Sequence, residues 1–357
     1  MLEDGRVFTG LAHGAPGTAF GEVVFNTAMS GYQETLTDPS YRGQIVAMTA
    51  SHIGNYGLND QDGESDRIQV AGFVARHFPA RYSNQRGQRT VHAALHAAGI
   101  PGIDGIDTRA LVRHLRSLGA MRGAVSTELV AEADREELLS KILSQPTMTG
   151  AALALDAGTT KPYPFGVDGT PRIAAIDYGI KQNILRRLAA HGLAGTVFPA
   201  TVSAKELTEG GFEGFFLSNG PGDPAALPQC VSVIQSLLET GKPVFGICLG
   251  HQLLGLAIGA KTFKLKFGHR GVNHPVRDMT TGTVAITSQN HGFAVDPSTL
   301  PSGAEMTHLN LNDETCEGFR LTGRPVFAVQ YHPESAPGPH DSDALFVEFA
   351  EAVKARH

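Results

Sequence analysis

The chain has 357 residues, 41% hydrophobic and 18% charged, which is enough for two domains with full cores and too apolar for a disordered chain. A formal net charge of -6, from 29 Lys+Arg against 35 Asp+Glu, argues against a nucleic-acid-binding surface. The three cysteines, Cys230, Cys248 and Cys316, are too few and scattered for a disulfide framework or zinc site, and no apolar run reaches membrane-spanning length, so a soluble protein of the reduced cytoplasm is expected.

In the first half, β-branched and aromatic residues between turn signals predict strands at 22–26, 44–49 and 70–74, with loops at 37–41 and 54–57. Asp107 caps a predicted helix that starts at Thr108 and has Leu111, Leu115 and Leu118 as its apolar stripe. Arg109, Arg113 and Arg116 fall on its other faces as solvated surface. A second helix is predicted over 132–143. No catalytic constellation stands out in this half. The stretch 156–171 is rich in Gly, Thr, Pro and Lys and lacks periodicity, so it reads as a linker between domains at 1–155 and 172–357. Beyond it, strands are predicted at 173–176, 195–198, 214–217 and 243–247, alternating with helices at 181–191, 204–210, 229–240 and 249–258. Such alternation implies an α/β domain with a mainly parallel sheet covered on both faces. Sites in these folds lie at the carboxyl ends of strands. Three unusual stretches fall there: 218–224, Cys248, and 331–335.

Cys248 stands between a strand and a helix, with Gly246 and Gly250 on either side, in the Gly-x-nucleophile-x-Gly pattern of a nucleophile elbow. The glycines suit a turn too tight for side chains. The helix N-terminus favours a thiolate, and the Leu249 N–H is placed to hold a developing oxyanion. A cysteine nucleophile needs a base, and the base needs an orienting group. His332 follows a predicted strand at 326–330, Glu334 stands two residues on, and Pro333 stiffens the link. The predicted triad is therefore Cys248, His332 and Glu334. A lone cysteine is more often a buried hydrophobe and a lone histidine a satisfied polar group; their coincidence at strand ends is what favours catalysis. Gly220, within Ser218-Asn-Gly-Pro-Gly-Asp-Pro224, is expected to supply a second oxyanion N–H. Ser288-Gln-Asn-His-Gly-Phe293, after a strand at 284–287, offers amides to a polar substrate. Gly255-Leu-Ala-Ile-Gly-Ala-Lys-Thr262 has three residues between its glycines where a Walker loop has four, so no such nucleotide site is expected. His251, His269, His274 and His291 lack metal-ligand spacing, so no metal is expected.

Phe245-Gly-Ile-Cys-Leu-Gly-His-Gln252, Ser218-Asn-Gly-Pro-Gly-Asp-Pro224 and Tyr331-His-Pro-Glu-Ser335 together resemble the three signatures of class I glutamine amidotransferases. Gly21-Glu-Val-Val-Phe-Asn-Thr27, Ser30-Gly-Tyr-Gln-Glu-Thr-Leu-Thr-Asp-Pro-Ser-Tyr41, Ser51-His-Ile-Gly-Asn55, Ile106-Asp-Thr-Arg-Ala110 and Phe267-Gly-His-Arg-Gly-Val-Asn-His-Pro275 are similar to small subunits of carbamoyl-phosphate synthetases. The resemblance runs along nearly the whole chain. It implies a mixed β/α N-terminal domain followed by a doubly wound, mainly parallel-sheet amidotransferase domain. It further implies that Cys248 hydrolyses L-glutamine to glutamate and ammonia through a γ-glutamyl thioester, with His332 moving protons and Glu334 orienting it. Ser40, Gly220, Gly222, Leu249, Gln252, Asn290, Gly292 and Phe293 would hold glutamine or its oxyanion. Ser40 would put the site near the domain interface. No cofactor is implied on this chain. Ammonia would pass by a tunnel to a large subunit carrying ATP and Mg2+, in a heterodimer or a higher oligomer of heterodimers. That subunit would make carbamoyl phosphate from bicarbonate for arginine and pyrimidine synthesis. No nucleic-acid or membrane partner is implied. Members of the family usually carry a few more residues, forming a strand, ahead of the Leu2–Gly5 segment; a later start and a missing edge strand are the two alternatives. The rival readings are an amidotransferase subunit of another synthase, which would lack the 1–150 domain, a non-catalytic regulatory subunit, and a free thiol hydrolase.

Overall fold

A computed structural model describes residues 1–129, 131–167 and 171–355. The chain forms two compact units, one of Met1–Met148 with Lys266–Gly271, the other of Thr149–Leu265 with the chain from Val272 onward.

In the first unit, β1 (Leu11–Gly14), β2 (Thr18–Asn26), β3 (Gln44–Met48), β4 (Gly72–Val74), β5 (Pro101–Asp104) and β6 (Met121–Ser126) form a six-stranded sheet in the order β1-β5-β4-β3-β2-β6. Strands β2 to β5 are parallel, and β1 and β6 close the edges antiparallel. The helices are α1 (Tyr32–Thr37), α2 (Val91–Ala97), α3 (Thr108–Leu118) and α4 (Arg135–Leu143). Asp107 caps α3 as expected, its carboxylate accepting the Ala110 N–H at 2.9 Å. Leu111 and Leu115 pack with Val23, Ile45 and Val74. Leu118, predicted to share that stripe, is exposed because the helix ends there. The predicted loop at 37–41 is instead the end of α1 and a single 3-10 turn, Pro39–Tyr41. Lys266–Gly271 joins this unit through backbone bonds, Ala120 N–H to Lys266 C=O at 2.8 Å and Thr27 N–H to Arg270 C=O at 3.1 Å, and through the stacked rings of Phe25 and Phe267.

In the second unit, α5 (Ala154–Ala157) leads to a ten-stranded sheet of β7 (Tyr163–Phe165), β8 (Arg172–Asp177), β9 (Ala194–Pro199), β10 (Gly214–Leu217), β11 (Val244–Ile247), β12 (Thr262–Asp278), β13 (Val284–Val295), β14 (Ala304–Asn310), β15 (Cys316–Leu321) and β16 (Val326–Val329). The strand order is β13-β12-β14-β15-β16-β11-β10-β8-β9-β7. Strands β16, β11, β10, β8 and β9 form the expected parallel block. The sheet then continues through antiparallel β15, β14 and β12. At the opposite edge, the stretch predicted as a linker holds β7, paired antiparallel with β9; residues 168–170 of that stretch lie outside the described residues. A three-residue strand containing Pro164 suits an edge, where a missing N–H costs no ladder bond.

The connecting helices are α6 (Gln182–Ala190), α7 (Ala204–Glu209), α8 (Pro228–Glu239), α9 (Leu249–Ala257) and α10 (Ala344–Lys354). Along the parallel strands successive residues enter opposite cores, as the period of two requires. Ala174, Ile176, Phe215, Leu217 and Val244 pack with residues of α7, α8 and α9. Ile173, Ala175, Phe216, Phe245 and Ile247 pack with residues of α6 and α10. Both faces are therefore covered, which explains why these strands read as unbroken apolar runs.

Candidate active site

Four loops leave the carboxyl ends of parallel strands β8, β10, β11 and β16, and each contributes to one buried polar cluster. Cys248 follows β11 and has φ 55 and ψ −102, a left-handed conformation that costs a side-chain-bearing residue about 1–3 kcal/mol. Its surroundings hold it there. The Cys248 N–H donates to Val329 C=O at 2.9 Å, and the Gly250 N–H to Ser218 C=O at 2.9 Å. A Cβ on Gly250 would lie 2.2 Å from the Leu217 oxygen, and one on Gly246 would lie 2.8 Å from the Gly250 oxygen. Both glycines are therefore obligatory for the elbow.

After β10, a Cβ on Gly220 would meet the Tyr178 oxygen at 2.2 Å and the Leu249 side chain, at Cδ2, at 3.0 Å, so Gly220 has no room for a side chain beside Leu249. Gly222 has φ 96 and packs against the Ala151 carbonyl. Ser218 Oγ accepts the Tyr178 N–H, which ties this loop to the one after β8.

After β16, His332 and Glu334 are fully buried. The His332 N–H donates to Ser288 C=O at 2.9 Å, and its Nδ1 lies 2.7 Å from Glu334 Oε1. Burial opposes charging of the ring, but the Glu334 carboxylate, with a contribution from the nearby Cys248 thiol, overcomes that and raises the His332 pKa. Nε2 of His332 makes no well-formed hydrogen bond, and the Cys248 thiol rests 3.6 Å from the Asn290 carbonyl oxygen. Such looseness between nucleophile and base is common before substrate binds.

Glu334 has a second cation. Lys181, after β8, is buried, and its Nζ donates to Glu334 Oε1 at 2.9 Å and to Ser335 C=O at 2.6 Å. Burial alone would raise the Glu334 pKa; Lys181 first, then His332, outweigh burial and lower it to about 2. In the sequence Lys181 reads as the start of the helix predicted at 181–191, with no part in the site. The available signal was the Asp177-Tyr-Gly-Ile-Lys181 sequence at a fourth strand end. Asp177 Oδ1 accepts the Gly179 and Ile180 N–H groups at 2.8 and 2.7 Å and turns the chain inward.

The stretch 288–293, expected to follow a strand ending at 287, lies within β13, a single strand from Val284 to Val295. It is polar because its side chains pair inside the protein: Gln289 Nε2 donates to Glu317 Oε2 at 3.0 Å. Asn290, Gly292 and Phe293 all lie on this strand. Gln252, one turn along α9 from Cys248, donates to the Phe293 carbonyl at 2.8 Å. The second unit thus gathers Cys248, Leu249, Gly220, Gly222, Gln252, Asn290, Phe293, His332 and Glu334 around the ends of these strands. Ser40 belongs to the first unit, buried in the Pro39–Tyr41 turn, with its N–H held by Asp38 Oδ1 at 2.8 Å.

The family model for class I glutamine amidotransferases matches residues 174–352, and that for the carbamoyl-phosphate synthase small chain, CPSase domain, matches residues 1–125. The chain is 51% identical to the carbamoyl phosphate synthase small chain of Synechococcus sp., covering 100% of this chain and 93% of that one. The chain belongs to the carbamoyl-phosphate synthase small chain family. It is likewise 51% identical to the small chain of Akkermansia muciniphila (99% and 96% covered) and 50% identical to that of Streptomyces coelicolor (100% and 96% covered). As a member of this family with a class I domain, it is a glutamine-hydrolysing amidotransferase. No helix among the described residues is long and apolar enough to cross a membrane.

Proposed function

We propose that this chain is the glutaminase subunit of a carbamoyl-phosphate synthase and that Cys248, His332 and Glu334 carry the chemistry. The observation that supports this most directly is the buried His332–Glu334–Lys181 array at the ends of strands flanking a strained Cys248. The Cys248 thiol gives its proton to His332 as its sulfur attacks the carboxamide carbon of L-glutamine, and the carbonyl electron pair moves onto oxygen, where the Leu249 and Gly220 N–H groups stabilise it. Collapse of this intermediate expels the nitrogen, which takes a proton from His332 and leaves as ammonia. The γ-glutamyl thioester remains. Water then attacks the thioester, His332 takes its proton, and glutamate departs as the thiol re-forms. Glu334 holds the imidazole in one orientation and stabilises its charged form. Ser40, Gly222, Gln252, Asn290, Gly292 and Phe293 bind the amino acid.

Ammonia is then channelled to a large ATP- and Mg2+-dependent subunit, which joins it to bicarbonate as carbamoyl phosphate for arginine and pyrimidine synthesis. The relatives' designation as small chains supports such a partner. The test is Cys248→Ala in the reconstituted complex. Glutamine-dependent carbamoyl phosphate synthesis is expected to vanish while synthesis from added ammonia persists. Retained glutamine turnover in that variant would overturn the assignment.

A further inference from the structure

Gln252 and Gln330 form a buried pair of amides whose polarity is set by the backbone. Gln252 is one helical turn past the nucleophile, its N–H donating to the Cys248 carbonyl at 3.1 Å. Its side-chain nitrogen donates twice, to Phe293 C=O at 2.8 Å and to Gln330 Oε1 at 3.0 Å. A backbone carbonyl can only accept, so the Gln252 atom facing Phe293 must be Nε2 and cannot be the amide oxygen. The second hydrogen of that nitrogen then requires an acceptor, which obliges Gln330 to present its oxygen. Both side chains are buried, and the Gln330 main chain is anchored by its backbone N–H, which donates to Glu317 C=O at 2.9 Å. With both Nε2 hydrogens committed inside the protein, the Gln252 oxygen is the one atom of that amide left to meet a bound molecule.

We propose that Gln330 is a positioning residue for substrate recognition: by accepting the second Gln252 hydrogen, it locks that amide so that the site offers a carbonyl acceptor. This rests on the reading of Gln252 as a contact to glutamine. A freely turning amide would present donor and acceptor alike, whereas the locked one favours a ligand bringing an N–H or ammonium donor to that point. Gln330 lies two residues before His332, and its hydrogen bonds run to Gln252 and to the Glu317 carbonyl, away from the expected nucleophile and base. Its loss is therefore expected to weaken binding with little change in the chemical step.

The test is glutamine hydrolysis by the complex with its large subunit. Gln330→Met is expected to raise KM for L-glutamine about 3- to 10-fold, the range for one neutral hydrogen bond, with kcat within about twofold. Gln330→Glu, which keeps an acceptor, is expected to restore KM towards wild type. Placed on Gln252→Met, the Gln330→Met change is expected to add nothing further. Should Gln330→Met fail to fold, Gln330→Asn, one methylene too short to reach Gln252, takes its place. An unchanged KM, a fall confined to kcat, or a KM effect that adds in full on Gln252→Met overturns the proposal while leaving the glutaminase reading intact. Absence of glutamine turnover by the wild-type complex overturns both.

Discussion

Replacing Lys181 by Met tests whether the buried cation holds the acid of the triad. Methionine keeps most of the side-chain volume and removes the charge, so the packing change is small and the electrostatic change large. Lys181 Nζ is 2.9 Å from Glu334 Oε1 and 2.6 Å from Ser335 C=O, with Lys181 2% and Glu334 0% exposed. Removing one partner of a buried pair strands the other and costs about 3–5 kcal/mol. His332 still faces the same carboxylate oxygen, so a loss near the lower end, about 3 kcal/mol, is expected. The pH dependence gives an independent reading. The folded Glu334 pKa, lowered to about 2, lies below the ordinary glutamate value of 4.5, so its contribution to stability is full above that value and is lost as pH falls through the folded one. Without Lys181 the folded value rises, and both stability and glutamine turnover are expected to fail at a higher pH than in the wild type. Because the chain has no tryptophan, urea unfolding is best followed by far-ultraviolet circular dichroism. The kcat for glutamine hydrolysis should fall by roughly 10- to 100-fold as the imidazole loses its fixed support. If the urea midpoint at neutral pH and the acid limb of kcat both coincide with wild type, the ion pair does not perform this function.

Two further perturbations address the elbow and the base. Gly250→Ala places a methyl group 2.2 Å from the Leu217 oxygen, so the strand-to-helix corner must shift; a loss of about 1–3 kcal/mol and a large fall in kcat are expected, measured by urea unfolding and glutamine hydrolysis. His332 has its folded pKa raised from 6.5 to about 10, so the stability it contributes is complete below 6.5 and is lost as pH rises through about 10. The gap in urea midpoint between wild type and His332→Asn should therefore narrow across that alkaline range, and a constant gap would contradict the buried ion pair.

The parallel core was legible because its strands are unbroken apolar runs and its helices carry clear stripes. Val244–Ile247 and Leu249–Ala257 differ from the expected 243–247 and 249–258 by single residues. The residues expected as nucleophile, base and acid stand at strand ends that the sequence marks with glycines, and the fold sets His332 beside Glu334. What escaped was polar but buried. Lys181 reads only as the start of a helix until its partner Glu334, 153 residues away, is brought beside it. The predicted strand at 284–287 stops short of Gln289, Asn290 and His291 because three consecutive polar residues break the alternation expected of a half-buried strand. In the fold that strand satisfies its polar groups internally, Gln289 with Glu317 and His291 with Gln289 and the Phe293 carbonyl. Such long-range pairing leaves no local period in the sequence.

The geometry of the proposed triad follows from the register of two neighbouring strands. Ile247 on β11 pairs with Val329 on β16, and the next N–H, that of Cys248, donates to the Val329 carbonyl. Cys248 is thus bonded to the backbone three residues before His332. The next two backbone ties along β16 hold Gln330 to Glu317 and His332 to Ser288. Gln330 and His332 are separated by one residue, Tyr331, so the amide that orients Gln252 and the imidazole that serves Cys248 are set by the same run of backbone. A one-residue slip of this strand would turn Phe327 and Val329 out of one core and Val326 and Ala328 out of the other. The two hydrophobic cores therefore guard the catalytic register, and substitutions deep in them, such as Phe327→Ala beside the stacked ring of Phe245, should disturb turnover as well as stability.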